Sequence, residues 1–203
     1  MQTIRTLMER SALYRRALAP IAVFVGVVGI AAAVAGWVLK IETAGSFAVF
    51  WLAVGLVEVA GALLLVRRQA LRHAEKFWSP PTRRVVQAMV PALLIGFVAG
   101  LLVALWFREF QENFEPIALG LIIVWTFLYG LALHAAGFFM PRGIRLFGWG
   151  FLIAGLVMLA AMLWSNFARA GVSPHALMGV IFGGSHLAYG TYLYFTEQGK
   201  NET

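Results

Sequence analysis

The 203-residue sequence contains no cysteine. Disulfides, thiolate zinc sites, iron–sulfur clusters and covalently attached c-type haem are thereby excluded, and only His, carboxylate and hydroxyl chemistry remains. Charge is scarce too, with Asp, Glu, Lys and Arg making up 12% of the chain, against about 25% in soluble domains. No HExxH motif and no GK[ST] loop occurs, which removes the best-known zinc-hydrolase and phosphate-binding signatures. Ser185 directly precedes His186, and neighbouring residues of a helix point about 100° apart, a poor arrangement for a serine nucleophile and its base.

What is abundant is apolar: 61% of the residues are hydrophobic. Six runs reach the roughly 20 residues needed to cross about 30 Å of hydrocarbon, at about 19–39, 45–66, 86–107, 116–139, 144–165 and 174–195. The connections at 41–44, 108–115 and 141–143 are too short for a soluble domain. The expected fold is therefore all-α, a polytopic membrane protein with six transmembrane helices in one bundle over 19–195. Residues 1–18, with Ile4, Leu7 and Met8 among arginines, predict a cytoplasmic interfacial amphipathic helix, and 196–203 a cytoplasmic tail. Arg15, Arg16 and Ala33-Val34-Ala35 also fit a signal-peptide pattern, but the apolar run continues to Leu39, which favours a retained helix.

The formal charge of +7 reads as topology, because the basic residues lie in short segments between apolar runs. Thirteen of the sixteen fall in the N-terminal segment, the RRQALRHAEKFWSPPTRR linker, the MPRGIR turn and the tail, and only Lys40, Arg108 and Arg169 lie opposite. Positive residues stay in the cytoplasm, so both termini are expected there, in a bacterial inner membrane. Trp37, Trp106 and Trp164 close the first, third and fifth runs at the predicted outer interface. No segment suits nucleic acid; the bilayer itself, a small or lipidic ligand, and an oligomer or partner subunit are the partners considered. The basic linker reads as a solvated extension of the second helix, ended by Ser79-Pro80-Pro81.

Three ionisable residues fall well inside the runs: Glu58, His134 and His186. Such residues are costly in hydrocarbon and usually face the bundle interior, where function is found. Glu58 and His186 lie at comparable depth and His134 about one turn nearer the cytoplasm. Each is flanked on its own face by small residues, Gly55 and Gly61 beside Glu58, Gly130 and Gly137 beside His134, Gly183 and Gly190 beside His186. Small residues mark helix contacts, so these groups are expected to point inward. Tyr129, Ser185 and Tyr189 extend the polar face, and Glu58 is an expected partner of His186. His73 and His175 fall in connections and are expected to be solvated. The spacing of the glycines and prolines predicts no discontinuous helix.

Three functional readings fit. One is a non-enzymatic membrane protein binding a small or lipidic ligand, or sensing protons, between its even-numbered helices. Another is a structural or accessory subunit whose polar residues only join helices. The third is an intramembrane enzyme, redox or hydrolytic, using a divalent metal or haem b; its only ligand candidates are Glu58, His134 and His186, and no metal site is assigned. The segments YGLALHAAGFFMPRGIRLFGWGFLIAG and GVIFGGSHLAYG resemble those of uncharacterised small bacterial six-span inner-membrane proteins with a GGxH segment in the last helix. The resemblance implies architecture and location, favours Gly183, Gly184 and His186 as functional positions, and carries no activity.

Overall fold

In the computed structural model, residues 2–72, 74, 77–107, 114–164 and 171–198 are described, with side chains from 18 to 196. The elements are α1 (Gln2–Val38), α2 (Ala44–Arg72), α3 (Pro80–Trp106), α4 (Phe114–Ala136), α5 (Arg142–Trp164), α6 (Pro174–Met178), a π turn (Gly179–Gly184) and α7 (Ser185–Gln198). Five helices are long and apolar enough to cross a membrane, over Leu18–Val38, Ala44–Arg72, Pro80–Trp106, Phe114–Ala136 and Arg142–Trp164. The chain is a helical membrane protein in which the last three elements follow one another without a break from Pro174 to Gln198. The N-terminal segment and the first apolar run share one helix, α1, which passes through Pro20.

Lipid tails are as apolar as leucine, so helices in a bilayer are held by close packing and hydrogen bonds rather than by the hydrophobic effect. Small residues supply that packing along two antiparallel seams. In the first, α1 lies against the C-terminal helical run. A Cβ added at Gly26 would come within 2.6 Å of the Leu187 backbone, one at Gly179 within 2.6 Å of Ala33, one at Gly183 within 2.8 Å of the Ile30 nitrogen, and one at Gly190 within 2.8 Å of Val23. In the second seam α4 lies against α5, with Gly130 facing Gly148 and Leu152, and Gly137 facing Arg145. Helices α2 and α3 join the two seams: α2 packs on α1 and α3, and α3 on α4. Trp125 of α4 donates its indole N–H to the Gly96 carbonyl of α3 at 2.8 Å.

Two apolar clusters stack along the bundle axis. One gathers Ala33, Phe47, Trp51, Ala104, Ala118, Met158 and Met178; the other gathers Leu133, Ile144 and Phe151 with Leu18, Met89 and Tyr189. Consecutive helices therefore run in alternating directions, and the second cluster lies toward the end carrying Arg67, Arg68, Arg83, Arg84, Arg142 and Arg145. Gly55 is not a packing glycine as its spacing predicts, because nothing lies within 4 Å of where its Cβ would be. The physical reason is the course of α2, which buries residues at Ala44–Trp51 and again at Ala70 but none between.

Candidate functional site

The sequence places an imidazole in hydrocarbon, and the structure shows how it is satisfied. Within the run from Pro174 the helix widens at Gly179–Gly184, where the Ser185 N–H reaches the Val180 carbonyl, five residues back, as well as that of Phe182. Such π turns inside α-helices are frequent at functional sites. The next residue, His186, is 4% exposed. Its Nδ1 lies 2.6 Å from the Phe182 carbonyl, which can only accept, so Nδ1 carries the proton. In the neutral ring Nε2 is then an acceptor, and Tyr129 of α4 donates its hydroxyl to it at 2.6 Å. The partner of His186 is thus Tyr129 together with a backbone carbonyl, and not Glu58 as expected.

Aromatic rings close around this pair. The His186 ring centroid lies 5.1 Å from that of Phe147, nearly perpendicular to it, and 5.7 Å from that of Phe151. Tyr129 meets Phe151 and Phe182 edge-on at 4.9 and 5.5 Å. These rings exclude water and lipid from the hydrogen bond, which is stronger for it.

Glu58 approaches from α2. Its Oε1 lies 3.6 Å from where a Cβ on Gly29 would stand, and the Cα of Gly183, in the π turn, lies 3.0 Å from the same point. The carboxylate also lies within electrostatic reach of Tyr129. It forms no hydrogen bond to any described residue. Glu58, Tyr129 and His186 therefore come to one neighbourhood, but only the last two are bonded.

His134 goes elsewhere. Its ring packs edge-on to Phe138 and Trp149, each 5.4 Å away between centroids, and its backbone abuts Gly148 in the α4–α5 seam. Its buried Nδ1 has no hydrogen-bond partner among the described residues. Five residues beyond Tyr129 on α4, His134 lies about 7.5 Å further along the helix and about 140° around it, away from the face that meets His186. Tyr189 stacks on Phe147 at 4.4 Å and 11°, with its hydroxyl over the bare Cα of Gly143. Ser185 is half-buried and makes no side-chain hydrogen bond to a described residue. Among the described residues no three of His, Asp and Glu converge as metal ligands would.

Two features escape sequence reasoning. The π turn is one: Gly183-Gly184 signals an irregularity, but the same spacing also serves simple packing. The other is His175, expected to be solvated and found 4% exposed. Ser173 caps α6 by accepting the Ala176 N–H, and Pro174 follows, so His175 falls in the first helical turn, where it fits the notch left by Gly36. Its Nδ1 accepts the Trp51 indole N–H at 3.2 Å, and its Nε2–H donates to the Ile41 carbonyl at 3.0 Å. The Ser-Pro-His order is the signal that would have found it. His73 lies outside the described residues. The chain matches no protein-family model, and comparison with curated proteins and with solved structures returns no match.

Proposed function

We propose that this chain is a six-span protein of the bacterial inner membrane, with both termini cytoplasmic, that binds a small amphipathic ligand at Glu58 beside the Tyr129–His186 pair. The run from Pro174 to Gln198 is the sixth span. The arginines at one end of the bundle support the orientation, as do Trp37, Trp106 and Trp164 at the other, which are 69, 71 and 85% exposed.

One observation carries the ligand reading: a carboxylate within a span that no described residue hydrogen-bonds. An unpartnered polar group in hydrocarbon costs several kcal/mol, so a group that supplies a donor there is bound favourably. Access supports the same reading. Gly55, one turn before Glu58 on the same face, has open space beside it, and the middle of α2 buries no residue. A molecule in the bilayer thus reaches the carboxylate with its polar end while its apolar part stays in lipid. Tyr129 and His186 form the fixed wall of the site.

A second reading, a structural subunit with no ligand, is favoured by the closed hydrogen bonding of His186, whose two ring nitrogens are both occupied within the chain. Native mass spectrometry of the whole protein separates the two. The expected result is a retained small molecule in the wild type and in His134→Leu, lost in Glu58→Gln. Indistinguishable spectra for the wild type and Glu58→Gln favour the structural subunit.

A further inference from the structure

The end of α2 and the start of α3 carry a second feature, independent of Glu58. We infer that this arginine-rich hairpin end binds the headgroup of an anionic phospholipid. On α2, Leu64, Arg67, Arg68, Leu71 and Arg72 line one open groove. Their spacing of three and four puts them on a single helix face. Leu64 and Leu71 are 64% and 71% exposed, and the three arginines are exposed as well. At the start of α3, Trp78, Pro80, Arg83, Arg84 and Gln87 line a second groove. Since α2 ends at Arg72 and α3 begins at Pro80, both grooves lie at the same end of the bundle.

The chemistry selects the occupant. None of these five arginines has an ion-pair partner among the described residues, and Glu75 is the only acidic residue between Glu58 and Glu109. All five are arginine rather than lysine, and the guanidinium fork binds phosphate oxygens in pairs. Apolar and cationic residues share the α2 face, with Leu64 on the bilayer side of Arg67 and Arg68. A phospholipid matches that order, its acyl chain along the leucine and its phosphate at the guanidinium groups. The grooves are open rather than enclosed, which suits a molecule held sideways by its own chains in the bilayer. A free phosphate offers no use for the leucines.

The test is native mass spectrometry of the full chain, delipidated in neutral detergent and titrated with phosphatidylglycerol or phosphatidylcholine. Each basic residue beside an anionic lipid surface is worth about 1 kcal/mol, roughly fivefold in binding. Wild type is expected to prefer phosphatidylglycerol, and Arg67→Gln/Arg68→Gln/Arg72→Gln to lose that preference by about a hundredfold. Arg142→Gln, exposed at the same end of the bundle, is expected to keep it. If the triple glutamine variant fails to fold, the triple lysine variant replaces it; its preference falls below wild type because charge remains but the paired contact is lost. Equal binding of the two lipids by the wild type overturns the inference. An unchanged preference in the triple variant does so too, as does displacement of the lipid by inorganic phosphate, which would make the occupant a soluble anion.

Discussion

Removing the hydroxyl of Tyr129 isolates the bond at the centre of the bundle. Tyr129→Phe keeps the ring that packs on Phe151 and Phe182 and deletes only the donor that His186 Nε2 faces at 2.6 Å. The imidazole is 4% exposed, so water cannot replace the lost donor. Leaving a buried acceptor unsatisfied costs about 1–3 kcal/mol, whereas interhelical hydrogen bonds within membranes are worth about 0.6 on average and at most about 1.7 kcal/mol. The aromatic enclosure and the absence of any other donor on Nε2 among the described residues put this case at the upper end, about 1.5 kcal/mol of destabilisation. Reversible unfolding in mixed micelles, followed by tryptophan fluorescence, measures it. The double variant Tyr129→Phe/His186→Leu supplies the cycle: if the bond acts as described, the two losses fall short of additivity by about 1 kcal/mol. A loss in Tyr129→Phe below about 0.3 kcal/mol, or strict additivity, refutes the reasoning by showing that the imidazole has another partner.

Two glycines predict opposite outcomes. Gly183→Ala sets a Cβ 2.8 Å from the Ile30 backbone nitrogen, and backbone cannot move aside as a side chain can, so melting should reveal a loss of about 1–3 kcal/mol. Gly55→Ala meets open space and gains helix propensity, so the same measurement should show no loss and up to about 1 kcal/mol of gain. His134→Leu removes a ring nitrogen that is already unpartnered; the variant should be as stable as the wild type or more stable, and a loss above about 1 kcal/mol would show that the ring is bonded. Trp51→Phe withdraws the donor from His175 Nδ1 and should cost about 1–2 kcal/mol, with faster hydrogen exchange at the start of α6 as the local readout.

The helical class and the alternation of chain direction were legible because length, hydropathy and loop charge are properties of each segment by itself. That His186 turns inward was legible for the same reason: the small residues at Gly179, Gly183 and Gly190 mark the α1 seam on its own helix. Which group it meets was not. Glu58 and Tyr129 are both reasonable by depth, and the choice depends on how far α2 stands from α4, a matter of three-dimensional packing that no spacing along the chain encodes. His134 illustrates the converse: a histidine flanked by Gly130 and Gly137 does face a neighbour, but the neighbour is α5 rather than the helix bearing His186. His175 was misjudged because its burial comes from Gly36, Trp51 and Ile41, all more than a hundred residues away.

The pairing of α1 with the last helical run has a consequence for biogenesis. The small-residue strip of α1 from Val23 to Gly36 meets a surface that follows it by more than a hundred residues, so that face stays against lipid while α2 to α5 are made, although α2 already packs on α1. Closure of this seam is thereby tied to synthesis of the run from Pro174 to Gln198. A nascent chain stalled before residue 174 would hold α2 to α5 in contact while α1 rested on α2 without the face that Gly179, Gly183 and Gly190 supply.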